Sequence, residues 1–227
     1  MNRKRTDNKK NSVNVAIACN NIEGLKLVLA DPRIKNALSP FDDQLCTPLM
    51  TAVAYGQGKE AVRLLLRHPE VDVNQINKGG HITALQYAAY LGHTGAVSQL
   101  LSHQDVDINF QETTTGQTAL HGAVLQHNNE IVKLLLEHPG LDVNRADFKG
   151  KSAFVLALLH ENTQAQKMLL PHPEIFSKMI KEIGQLSLSG ITTVTLVILS
   201  PCSICTILGK NYFDFEKNSI IHLCKLC

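Results

Sequence analysis

Tryptophan is absent from the 227 residues, and aromatic residues of all kinds make up only 5%. Platforms of stacked rings, the usual seat for single-stranded nucleic acid, are therefore excluded. Charge of one sign is also missing. The net charge is +2, and the first ten residues, MNRKRTDNKK, hold five Lys or Arg and one Asp, so the remainder of the chain sums to −2. A near-neutral body excludes broad, charge-driven nucleic-acid binding. No signal-peptide character follows the basic start, because NSVNVAIACNNIEG interrupts its apolar residues with polar ones. Nor are cysteines spread as a secreted disulfide scaffold spreads them: Cys19 and Cys46 lie alone and the other four crowd the last 26 residues. This usage reads as cytoplasmic and reduced. Catalytic signatures are lacking too. There is no G-x-S-x-G, P-loop, H-E-x-x-H or dinucleotide fingerprint. The expectation is a protein that is not an enzyme and needs no cofactor.

Apolar residues make up 44% and charged ones 19%, which places the chain among folded proteins. Its organisation is periodic. Thr47-Pro48-Leu49-Met50-Thr51-Ala52 is echoed by Thr83-Ala84-Leu85-Gln86-Tyr87-Ala88, Thr118-Ala119-Leu120-His121-Gly122-Ala123 and Ser152-Ala153-Phe154-Val155-Leu156-Ala157, with starts 36, 35 and 34 residues apart. A second element keeps step: HPEVDVN at 68–74, HQDVDIN at 103–109, HPGLDVN at 138–144 and a fading HPEI at 172–175. Residues 13–18 and LKLVLADPRI at 25–34 make a degenerate first copy. Two motifs on one period define a repeat protein.

Each unit reads as two helices and a turn. The leading Thr or Ser is a helix N-cap, and Pro48 falls on the first helical position, where its missing N–H costs nothing. Leu85, Ala88 and Ala89, then Val97, Leu100 and Leu101, recur at helical spacing, and Leu100 and Leu134 are expected in the core of the central second helices. Gly56 and Gly92 fall where the first helix should end, a place taken by His127 and Glu161 in later units. Pro69 and Pro139 close second helices. Asn77-Lys78-Gly79-Gly80 and Asp147-Phe148-Lys149-Gly150 are turn chemistry.

Together, T-P-L-x-x-A, the Gly after the first helix, V-x-x-L-L, D-V-N and D-x-x-G resemble the ankyrin repeat. The resemblance implies an all-α ankyrin-repeat solenoid of about five helix-turn-helix units over 11–184 (11–46, 47–82, 83–117, 118–151 and 152–184). A basic tail, 1–10, precedes it, and a hydrophobic, Cys-containing tail, 185–227, follows. Partners in that family are gripped by turn tips and by the exposed end of each first helix, on a concave ridge. Carried over position by position, these are Asp43, Gln44, Tyr55, His81, Tyr90, Thr114, Thr115, Gln126, Phe148, Lys149 and His160. The implied function is a non-enzymatic adaptor for another protein, with no nucleic-acid partner.

Ten histidines raise the question of a metal site. Four of them, His68, His103, His138 and His172, simply follow the repeat. Each ends a second helix, where a His is suited to bond terminal carbonyls and the negative end of the dipole.

The tail carries its own motifs. Residues 183–209 hold no charge, a run of 27, long enough to span a bilayer, though eight Ser/Thr and Pro201 interrupt it. Membrane association through 183–227, packing on the last repeat, and an aggregation-prone extension are the three readings. Cys202-x2-Cys205 and Cys224-x2-Cys227 have the spacing of a four-thiolate zinc site, the alternative reading, which would give a ligase-like or regulatory role. The ending Cys224-Lys225-Leu226-Cys227 also fits a prenylation signal on Cys224. The two exclude each other, because prenylation alkylates Cys224 and processing removes Cys227; chance occurrence is the third reading. Degenerate repeats with a lipidation motif and no signal peptide also resemble ankyrin-repeat effectors that intracellular bacteria deliver into host cells. That resemblance implies residence in host cytosol and at its membrane surface.

Overall fold

The computed structural model describes residues 12–31, 46–55, 59–77, 81–175 and 177–178. A leading threonine opens the helices that start at Pro48 and Ala84 because its hydroxyl satisfies an amide that the helix cannot. Thr47 Oγ1 accepts from Met50 N at 3.2 Å, and Thr83 Oγ1 from Gln86 N at 3.3 Å. The helices alternate along the chain: α1 (12–18), α2 (Ile22–Leu29), α3 (Pro48–Ala54), α4 (Lys59–Leu66), α5 (Ala84–Leu91), α6 (Thr94–Leu101), α7 (Ala119–Leu125), α8 (Asn129–Leu136), α9 (Ala153–Leu159) and α10 (Thr163–Leu169). The odd-numbered members are first helices and the even-numbered ones second helices. Among the described residues there is no strand, only an isolated bridge between Ala146 and Ser152.

The chain divides into two units at Ala153 and Phe154. In the first, α3 packs on α5 and α5 on α7, while α2, α4, α6 and α8 pack in a parallel row behind them. Leu49, Val62, Leu65, Leu85, Val97, Leu100, Leu120, Val132 and Leu135 fill the space between the rows and are almost wholly buried. Leu100 is thus in the core as expected, but Leu134 is half-buried and its neighbour Leu135 takes the core position. The cause is register. The buried pair of a second helix is Val97 with Leu100, or Val132 with Leu135, three residues apart on one face, and Leu134 lies about 100° round the helix from Leu135. In the second unit, Asn162 Oδ1 caps α10 by accepting from Ala165 N at 3.0 Å. Gln166 Nε2 donates to Ala157 O at 2.8 Å, tying α10 to the body of α9.

Among the described residues, four first helices end in the left-handed backbone region. Gly92 does so with φ 79°, at no steric cost. Asn20 (φ 50°), His127 (φ 56°) and Glu161 (φ 53°) occupy the same position in their units. Asn tolerates this conformation, whereas a side chain with an ordinary Cβ is strained by it. His127→Gly should therefore raise stability by about 0.5–1 kcal/mol, despite the freer unfolded chain. Urea denaturation checks this, and a loss would show that the His127 side chain does more than fill the turn.

Neighbouring repeats are clamped by the asparagine of D-V-N. Asn74 Nδ2 donates to Asp105 O at 2.6 Å and its Oδ1 accepts from Asp107 N at 2.8 Å. One period later, Asn109 Nδ2 donates to Gly140 O at 2.7 Å and its Oδ1 accepts from Asp142 N at 2.8 Å. The periodic histidines differ from expectation. Instead of donating to terminal carbonyls, His68 Nδ1 accepts from Glu70 N at 3.2 Å, His103 Nδ1 from Asp105 N at 3.3 Å and His138 Nδ1 from Gly140 N at 3.2 Å. The chain turns immediately after the helix, so the nearest unsatisfied group to each ring is an amide two residues on, and a neutral imidazole nitrogen accepts it.

Candidate interaction surface

The ends of the first helices carry two exposed tyrosine rings. Tyr55, the C-cap of α3, is 55% exposed, and Tyr90, in the last turn of α5, is 54% exposed. Because α3 packs on α5 and both run from cap to end in the same register, the two rings project from the same end of adjacent helices. Gln126, the C-cap of α7, is exposed at the equivalent place. Sequence reasoning missed Leu91, 39% exposed beside Tyr90 and equivalent to Tyr55 by repeat offset. The signal lies in the spacing: the positions seven and eight residues after each capping Thr or Ser both fall at the helix end. Apart from the buried His121, α3, α5 and α7 contain no ionisable side chain except Tyr.

The turn tips form a second set. Asn77, Glu112 and Asp147 share one position in the period, each turned inward and buried. Asp147 Oδ1 accepts from Lys149 N at 2.9 Å and Lys151 N at 2.8 Å, closing the tip on which Phe148 and Lys149 stand. Glu112 is one carbon longer and collects the amides and hydroxyls of both Thr114 and Thr115. Burial alone would push its carboxyl up, but these bonds outweigh it and hold it below the usual carboxylate range. Thr114 and Thr115 are exposed, yet their hydroxyls are committed to that loop. Phe148 N donates to Thr115 O at 2.8 Å, so adjacent tips are joined, while 63% of Phe148 remains exposed. Its ring covers Gly116, where an added Cβ would stand 2.5 Å from Phe148 Cδ1. His81 is half-buried with φ 51°, and His160 is exposed beyond α9 in the second unit.

Asp43, Gln44 and the four cysteines Cys202, Cys205, Cys224 and Cys227 lie outside the described residues. Among the described residues, no three His, Cys, Asp or Glu side chains gather as metal ligands, and no helix is long and apolar enough to cross a membrane.

His121 is a buried titratable group that positions the row. Its Nδ1 accepts from Thr118 N at 3.2 Å, and its Nε2 donates to Lys151 O at 3.0 Å across to the next tip. Gln86 does both jobs one repeat earlier: Oε1 accepts from Thr83 N at 2.9 Å, and Nε2 donates to Phe110 O at 3.0 Å and Gln117 O at 2.8 Å. Burial pushes the His121 imidazole below its ordinary value of 6.5, against weaker opposing effects from Lys151 O and Asp147. A base with a lowered folded pKa contributes full stability above its unfolded pKa. That contribution is lost as pH falls below 6.5, because the unfolded chain takes the proton first. His121→Gln, copying Gln86, should keep the fold and flatten part of the stability loss between about pH 8 and pH 5. Urea midpoints of the two proteins across that range are the check, and parallel curves would remove His121 as the cause.

The family model described as ankyrin repeats (3 copies) matches residues 13–112, 49–147 and 85–182, well over half of the chain. No curated protein matches. The capped first helices, the rows of paired helices, the turns closed by Asp147 and the matched span lead to one conclusion: this chain belongs to the ankyrin-repeat family.

Proposed function

We propose that the first unit binds a partner protein across the ends of α3, α5 and α7 and the neighbouring turn tips. Ankyrin repeats are generally protein–protein interaction modules, and typically non-enzymatic scaffolds. The observation that carries the placement is the pair Tyr55 and Tyr90, two large rings more than half exposed at the ends of adjacent helices, with Leu91 exposed beside them. Large amphipathic rings held on rigid helix ends lose little entropy on binding and are favoured as hot spots. Tyr55→Ala with Tyr90→Ala should leave the circular dichroism unchanged, since neither ring fills the core. Partner capture in a pull-down should fall by more than about tenfold if either ring is a hot spot. Equal recovery by the folded double variant would remove this surface.

A further inference from the structure

Next to the exposed rings, the first unit is not closed. A crevice of about 180 Å³ lies between the α3–α4 repeat and the α5–α6 repeat. That is room for one side chain, since a cavity of about 150 Å³ holds a benzene ring. Val53, Val62 and Ala96 form apolar walls, and Lys59, Thr94 and Gly95 bring polar groups to it. The chain itself places the crevice beside the rings: Tyr55 lies two residues beyond Val53, and Leu91 directly precedes Gly92, which also lines it. Lys59 reaches across from α4 to α6. An added Cβ at Gly95 would stand 2.8 Å from Lys59 Cε and 3.6 Å from Nζ, so the lysine's stem uses the space that glycine leaves. Its ammonium pairs with no carboxylate among the described residues. His93, the N-cap of α6, makes no capping bond, and the Gly95 amide has no acceptor among the described residues. Nor does a carboxylate line the crevice. Glu60 is bonded to Arg63 at 2.5 and 2.9 Å, and Glu130 opens α8 outside the lining.

Resting on the partner surface described above, we propose that this crevice receives one Asp or Glu side chain of the partner protein, its carboxylate against Lys59 Nζ and the Gly95 amide. One ammonium with a neutral donor balances a single negative charge. A phosphate monoester carries nearly two and is matched by Arg clusters, and no Arg lines the crevice. A partner seated on Tyr55 and Leu91 covers the mouth, and excluding water there strengthens the ion pair. An acidic lipid headgroup offers the same charge, but a crevice one side chain wide, walled by Val and Ala, is shaped for a side chain and not for a membrane surface.

The test is selection of random displayed peptides on the immobilised full chain, with phosphatidylserine vesicles as a parallel probe. Selected peptides should share an Asp or Glu, and changing it to Asn or Gln should weaken binding about tenfold. Against Lys59→Met the same change should cost little, because the carboxylate has already lost its partner. That coupling is something a lysine acting only on the fold does not produce. Lys59 is exposed, and unchanged circular dichroism confirms that the variant folds. Peptides that need Tyr55 and Tyr90 yet share no acid, or that lose as much from the amide change against Lys59→Met, overturn this assignment and leave the surface standing. Peptides indifferent to Tyr55 and Tyr90 overturn the surface, and this assignment with it. Selection of no peptide, with or without binding to the vesicles, overturns both.

Discussion

Leu100→Ala should cost about 2–5 kcal/mol of unfolding free energy, the range for emptying a fully buried leucine site. Leu100 has no solvent exposure, and its helix, α6, is held between α4 and α8. The flanking helices cannot close over the gap without losing their own fit, so most of the cavity should persist. Leu135→Ala, one repeat later in the same position, should cost a similar amount. Leu134→Ala, on the half-buried side of α8, should cost about 1 kcal/mol, nearer the value for partly exposed sites. Urea unfolding of the three variants measures this directly. Equal losses at Leu134 and Leu135 would contradict the helix register described for α8.

The next largest effect is expected from Asn109. Its side chain both donates to Gly140 O and accepts from Asp142 N, so alanine removes two bonds between adjacent repeats at once. The stranded carbonyl and amide lie near solvent and regain water in part, which puts the loss at about 1–3 kcal/mol. Asn109→Asp keeps the acceptor for Asp142 N but sets a carboxylate against Gly140 O, so it should not rescue the variant. Hydrogen exchange supplies the second readout. Because each repeat is buried only against its neighbours, breaking one clamp should speed exchange in α8 on the far side of the joint, and not at Asn109 alone. Faster exchange confined to residues 105–110 would show that the clamp is a local turn device.

The helices were legible because their causes are local. Thr47, Thr83 and Thr118 announce helix starts by chemistry, and Gly92 announces a stop. The period then carried those assignments to units where the punctuation is poor, such as the one ending at His127 and the one ending at Glu161. Functions of side chains that depend on which way a ring or amide turns were not legible. His68, His103 and His138 were correctly placed at helix ends, but the direction of their hydrogen bonds follows from where the next amide falls. Thr114 and Thr115 read as free tip residues because nothing in the spacing says that Glu112 reaches back to claim them. Leu91, 39% exposed at the end of α5, shares its place in the period with Tyr55 and Gln126, so its position is legible in the spacing while its exposure is not.

One consequence of the asparagine clamps concerns how such a chain tolerates change. The bonds made by Asn74 and Asn109 join the H-x-x-V-D-x-N turns of successive units, at a fixed separation from the helices they follow. The tips at 112–116 and 147–151 lie outside those clamps and are joined to each other by Phe148 N and Thr115 O. A residue inserted between His103 and Asn109 would throw the amide of Asp107 out of phase with Asn74 and loosen two joints together. A residue inserted among Thr113, Thr114 and Thr115 would shift neither. The molecule therefore keeps the gauge of its helices in the clamped loops, and a change of length at the tips leaves those clamps in place while giving up the bond between Thr115 and Phe148.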